Sequence, residues 1–255
     1  MPQLTSALWI LALVATLLNV AATAARLSSK TPPAAAASAP DALAQSALKP
    51  TSATLAYVMN NNNDVVTRAS ATDYLKMIGV EPGDSVADIG CGTGFHVLRA
   101  SEMVGPKGIA YAIDLDPEEV RYVEGRAAVL GLKNVRGVVS GPVSIPLPPA
   151  TLDKALLVNV LHCIITGPTE NDPKIRETRV IPFLKSIRAV LKPGALLLVF
   201  DQAPSTMANE GGVSQSVVRK IFPEAGFTLH SVEGNDSGYT YLWRAGGQAQ
   251  RNPTQ

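Results

Sequence analysis

The run Val86-Ala87-Asp88-Ile89-Gly90-Cys91-Gly92-Thr93-Gly94 joins an apolar stretch to three alternating glycines, and Asp114, 20 residues after Gly94, closes a second apolar stretch, Ile109–Ile113. Glycine tolerates positive φ and has no Cβ, so a strand ending in this loop can turn sharply and let a ligand approach its backbone. A carboxylate at the tip of the neighbouring parallel strand lies beside such a loop and can accept both hydroxyls of a ribose. This is the chemistry of a nucleotide-type cofactor cradle, with Asp114 as the ribose acid. The competing role for Asp114 is a helix cap, which Asp116, directly ahead of Pro117-Glu118-Glu119, suits better.

A second set of reactive types follows another apolar run, at Asn159-Val160-Leu161-His162-Cys163. It falls at the carboxyl edge of a sheet, where open α/β folds place reacting groups. His162 is the candidate general base there; the alternative is a histidine hydrogen-bonded within its own helix-forming segment. A solvated loop and a strand face account for His96 and His230, and Asp201 either faces a substrate or caps the next segment.

The glycine spacing separates two cofactor classes. A dinucleotide fingerprint, G-x-G-x-x-G, would need its third glycine where Phe95 stands, and the chain shows no Tyr-x-x-x-Lys or paired Cys/His device for hydride transfer. Asp88-x-Gly90-x-Gly92-x-Gly94 instead closely resembles the first motif of class I S-adenosylmethionine-dependent methyltransferases. The resemblance runs from about Asp64 to Arg244 and includes further motifs in order: the turn Glu81-Pro82-Gly83-Asp84, the fourth-strand segment Asp153-Lys154-Ala155-Leu156-Leu157-Val158, and the turn Leu191-Lys192-Pro193-Gly194.

What that family implies can be carried over residue by residue. The cofactor is S-adenosyl-L-methionine. Asp88 steers the loop and the amino-acid end of the cofactor, and Gly90, Cys91, Gly92 and Gly94 form the cradle, with Cys91 in a slot where small residues are usual. Asp114 holds the ribose, Leu115 packs on the adenine, and Asn159 at the tip of the fourth strand completes the set. After the third strand the family often carries an acid for the adenine amino group, where this chain has Gly141; Ser140 or main-chain groups must replace it. Methyl transfer is an in-line displacement, so positioning and exclusion of water matter most. A base is required only for a nucleophile protonated at working pH.

The elements needed to hold these residues are legible as an alternation of short apolar runs with longer amphipathic stretches. Ser85–Ile89, Ile109–Ile113, Val135–Val139, Lys154–Val158 and Ala195–Val199 read as parallel strands, and Phe227–Glu233 with Tyr239–Arg244 as a terminal hairpin. The expected fold is α/β, a Rossmann-like three-layer α/β/α sandwich. Its seven-stranded sheet is mostly parallel, with an antiparallel C-terminal strand. The chain of 255 residues then divides into a hydrophobic leader (1–25), an Ala/Pro-rich linker too poor in apolar residues to fold (26–54), one methyltransferase domain (55–245) and a flexible tail (246–255). The apolar spacing from Leu55 onward suggests helices, which the family resemblance implies form a lid over the substrate.

Met1–Ala25 carries no charged side chain. Ala22-Thr23-Ala24 offers a signal-peptide cleavage site, although the usual basic start is missing. Leu4–Ala25 is also long enough for a membrane anchor, and Arg26 and Lys30 after it favour a cytoplasmic domain. An organellar transit peptide is a third option. The localisation expected is therefore membrane-anchored with a cytoplasmic domain, or exported after cleavage near Ala24. With 22 basic and 21 acidic residues, net charge +1 and no basic run, a nucleic acid partner is not expected. The two cysteines, Cys91 and Cys163, lack metal-ligand spacing. The function expected is methyl transfer to a small-molecule or protein acceptor; the alternatives are an inactive cofactor-binding module and an NAD-linked oxidoreductase.

Overall fold

The computed structural model describes residues 65–165, 169–202, 212–235 and 238–246. The leader, the linker, the start of the expected lid and the last nine residues lie outside them. Among the described residues no helix is long and apolar enough to cross a membrane.

Seven strands form one sheet in the order β3-β2-β1-β4-β5-β7-β6. β1 (Ser85–Ile89), β2 (Ile109–Asp114), β3 (Val135–Val139), β4 (Leu152–Val158) and β5 (Leu191–Gln202) run parallel. β6 (Phe227–Asn235) and β7 (Gly238–Ala245) form the terminal hairpin, with β7 set antiparallel between β5 and β6. The expected fold class is the observed one, and the strand expectations differ from the observed bounds by a few residues at their ends. The largest difference is at β5, which starts at Leu191. Leu152 pairs with Leu191 and Lys154 with Leu196, so the Lys-Pro-Gly turn bulges out of the ladder around Gly194 at φ 81°.

The alternation of side chains along the strands divides the core. Ala87, Ile89, Ile113, Ala155 and Leu157 join one apolar layer with α6 (Ile181–Val190) and α7 (Gln215–Glu224). Val86, Ala110, Ala112 and Leu156 join the other with α2 (Phe95–Val104) and α3 (Pro117–Val129). Asp88, two residues after Val86, therefore points into the α2 layer. α1 (Val65–Met77) packs on the same side, where Ile78 just beyond it meets Leu198 and Leu242.

Local signals set the helix starts. Asp116 caps α3, accepting from Glu118 N at 2.8 Å, with Pro117 at the first helical position. Among the described residues between β4 and α6 are the short helices α4 (Leu161–Ile164) and α5 (Pro173–Ile175) and a π-helical turn, Arg176–Val180. In that turn Ile181 N reaches back to Arg176 O, directly ahead of Pro182, which has no N–H to continue an α-helical ladder.

The hairpin is bound to the domain by aromatic packing. Trp243 on β7 is 1% exposed and stacks on Phe222 of α7 at 4.7 Å between ring centroids and on Tyr241 at 5.6 Å. Trp243→Ala should lower the unfolding free energy by about 3–5 kcal/mol in urea, with an unchanged denaturant slope. A loss below about 1 kcal/mol would show that the hairpin lies outside the cooperative core.

Candidate functional site

β1 leaves the sheet at Ile89, and the next three amides are taken up by the end of β2. Gly90 N and Cys91 N donate to Ile113 O at 2.8 and 3.1 Å, and Gly92 N donates to Asp114 Oδ2 at 3.0 Å. Gly90, Gly92 and Gly94 have φ of 75°, 49° and 83°. A Cβ on Gly90 would lie 2.4 Å from Val160 Cγ2, and one on Gly94 would lie 2.8 Å from Val123 Cγ2, so both positions exclude a side chain by conformation and by space. Cys91 is buried, which pushes its thiol pKa well up and leaves it a small packing residue. From α3, Arg126 Nη1 donates to Thr93 O at 3.0 Å and ties the far side of the loop down.

Asp114 is bound on both oxygens, since Oδ1 accepts from Asp116 N at 3.1 Å. It also meets Glu119, one turn into α3. Burial first, then the charge and hydrogen bond of Asp114, push the Glu119 carboxyl up to about 8, so at neutral pH it is protonated and can donate to Asp114. The sequence marked Glu119 only as a helix-start acid. Its signal was its place on the first turn of a helix that begins at the tip of β2.

Beyond Asp114, two large apolar side chains stand open at the carboxyl edge: Leu115, 57% exposed, and Val139, 46% exposed. Ser140 N donates to Asp114 O at 2.7 Å. Gly141 and Ser144 form a tight antiparallel bridge, and a Cβ on Gly141 would sit 2.6 Å from Ser144 Oγ. A side chain at this position would have to displace the Ser144 hydroxyl.

Asp88 is 2% exposed and accepts from Val97 N at 3.1 Å. Burial, opposed by that bond and aided by the charge of Asp114, raises its pKa to about 8. His96 Nδ1 lies 3.9 Å from Asp88 Oδ2, which looks like an ion pair by distance. Burial lowers His96 to about 4, so both partners are neutral near pH 7 and the contact is not a salt bridge. His96 is therefore not the solvated loop residue expected: it packs beside Phe95 and Tyr74, and Tyr74 also meets Phe200.

At the other end of the edge, Asn159 is exposed, holds φ 57°, and donates its N–H to Phe200 O at 2.9 Å. The His162 side chain meets Cys163 in its own segment and a more distant partner at the end of β5. Its Nδ1 lies 2.9 Å from Asp201 Oδ1, and its main-chain N donates to Asp201 Oδ2 at 3.2 Å. Asp201 is fully buried and accepts from the main-chain N at the start of His162's helix. His230 lies on an exposed strand face beside Arg244, as expected.

The sheet order, the glycine loop and the acid at the tip of β2 form a Rossmann-like domain with a candidate nucleotide-type cradle, and comparison with known proteins gives its family. The profile of the family described as "Methyltransferase domain" matches residues 80–220. A demethylmenaquinone methyltransferase of Geobacillus stearothermophilus is 24% identical over 135 residues, 53% of this chain and 52% of its own. A protein-L-isoaspartate O-methyltransferase of Ignicoccus hospitalis is 40% identical over 100 residues, 39% of this chain and 47% of its own. The chain spans about half the length of the curated relatives it matches. The crystal structure of a SAM dependent methyltransferase from Aquifex aeolicus superposes with TM-score 0.64 at 27% identity, covering 75% of this chain and 98% of that one. The chain belongs to the class I S-adenosylmethionine-dependent methyltransferase family.

The residues present fit that cofactor. Asp114 could take the ribose, exposed Leu115 and Val139 could flank the adenine, and Asp88 with the glycine loop could take the amino-acid end. Asp88 also yields a test that needs no ligand. Its folded pKa is raised, so its contribution to stability is complete below the unfolded value and is lost as pH rises through about 8. Asp88→Asn should therefore gain in melting temperature relative to wild type as pH rises from about 5, with the difference levelling off above about 8. A pH-independent difference would mean that Asp88 is ionised in the folded protein.

Proposed function

We propose that the protein is an S-adenosylmethionine-dependent methyltransferase whose cofactor lies across the glycine loop of β1 and the tip of β2. The observation that carries this is the junction itself: Gly92 N–H bound to the Asp114 carboxylate, with the open apolar side chains of Leu115 and Val139 alongside. When bound, the cofactor supplies an electrophilic methyl group on a sulfonium.

The chain's own residues do the rest. Asp114 accepts from the ribose hydroxyls, with Glu119 holding a proton against it. Gly90, Cys91, Gly92 and Gly94 present backbone at close range, and Asp88 provides a buried carboxyl for the cofactor's ammonium group. Leu115 lies on the adenine, Ser140 and Gly141 face its polar edge, and Asn159 closes the cradle from β4. His162 is the catalytic candidate, at the ends of β4 and β5 where the acceptor enters.

The relatives are named for a quinone-type small molecule and for protein isoaspartate. Together with a net charge of +1, they support a small molecule or a protein group as acceptor rather than a nucleic acid.

Titration with S-adenosylhomocysteine tests the assignment. Asp114→Ala should weaken binding by about 1.5–3 kcal/mol, the scale of hydrogen bonds to a charged group, and Asp114→Asn by less. Gly92→Val should show no thermal stabilisation by the ligand, because a branched side chain cannot hold a left-handed backbone beside it. Wild-type affinity in folded Asp114→Ala would remove Asp114 from the site.

A further inference from the structure

The acceptor end of the sheet holds one histidine in a fixed pose. Asp201, 0% exposed at the end of β5, takes both the main-chain N–H and the Nδ1 of His162. Two bonds to one carboxylate set both the start of α4 and the plane of the ring. With Nδ1 on Asp201, Nε2 is the other hydrogen-bonding nitrogen of a ring that Cys163 also contacts. The His162 side chain is only 19% exposed, which suits a small molecule entering beside it better than a folded protein surface.

The pair's surroundings decide its charge. A carboxylate withdrawn from water requires compensation, and an imidazolium at 2.9 Å supplies it. The bond from Asp201 first, then that from Cys163, outweigh burial and raise the His162 pKa to about 10. Among the described residues, titratable groups acting at the pair include Cys163 on α4 and Tyr239 on β7, with Glu170 acting on Tyr239. Tyr239 donates its hydroxyl to Val213 O at 2.9 Å, and burial together with the charge of Asp201 pushes its pKa up. None of these three carries positive charge.

Resting on the methyltransferase assignment, we propose that Asp201 holds His162 as an imidazolium whose Nε2–H docks an anionic oxygen. The acceptor is then a small organic acid that arrives already ionised, as a carboxylate or an enolate-type oxygen. A ring that keeps its proton at neutral pH cannot serve as a base, and an ionised nucleophile needs none. In the transfer step a lone pair of the anion, on that oxygen or on a carbon conjugated with it, forms the bond to the methyl carbon. The carbon–sulfur bond breaks, its electron pair passes to sulfur, and the opposite charges cancel with no proton released. The same imidazolium disfavours an ammonium acceptor.

The chain has three histidines, so nitrogen NMR of the full-length protein labelled in its histidine rings resolves each, with His162→Gln assigning one. In the protein saturated with S-adenosylhomocysteine, His162 should be doubly protonated at pH 7.5 and titrate near 10, while His96 stays neutral. Asp201→Asn should return His162 toward its ordinary value of about 6.5; should that variant not fold, the wild-type titration still decides. Benzoate should shift the Nε2 resonance and benzylamine should not, and His162→Gln should bind benzoate at least about tenfold more weakly by calorimetry, the loss of one charge-assisted bond. A neutral His162 at pH 7.5, no response to benzoate, or an equal response to benzylamine would overturn the inference. Failure of S-adenosylhomocysteine to bind would instead overturn the assignment on which it rests.

Discussion

Three consecutive amides leaving β1 must find acceptors once the strand has left the sheet, and the end of β2 supplies them. Ile113 O takes Gly90 N and Cys91 N, and Asp114 Oδ2 takes Gly92 N. Buried main-chain donors without partners are costly, so this pairing dictates where the loop can lie. It also dictates the glycines, because a chain that bends back onto its neighbour's tip needs positive φ and room at Val160 and Val123. The parallel register of Ile89 with Ile113 brings the two ends level, and the order β2-β1-β4 places the end of β4 on the other side of the same loop.

The two halves of the carboxyl edge handle charge in opposite ways. Around the glycine loop stand three acids, Asp88, Asp114 and Glu119, and two of them are raised to about 8 by burial and mutual repulsion. An acid-rich recess of this kind gains by receiving a cation, which is the character of a ligand bearing an ammonium and a sulfonium. At the ends of β4 and β5 a buried Asp201 is paired with His162, which in the proposal above carries the positive charge. The proposed division of labour, cationic donor on the acid side and anionic acceptor on the histidine side, follows from that asymmetry.

Much of this was legible in the sequence, for identifiable reasons. The loop, Asp114, the Asp116 cap and the strand-helix alternation rest on local rules: glycine conformations, fixed offsets and periodicity. What escaped are pairings across long separations. Asp201 meets His162 across 39 residues, and Arg126 ties down Thr93 across 33. His96 looked like a loop residue because the sequence does not show α1 covering it with Tyr74. Gly141 pairs with Ser144 in an isolated bridge that no local sequence signal announced.

The central claim is that the β1 loop and the tip of β2 form one ligand-binding unit. Hydrogen–deuterium exchange of the full-length protein, with and without saturating S-adenosylhomocysteine, reads this directly. The account predicts slowed exchange in peptides covering 88–97 and 113–119 and no change in the β6–β7 hairpin. Protection confined to other segments, or none at saturation, would contradict it.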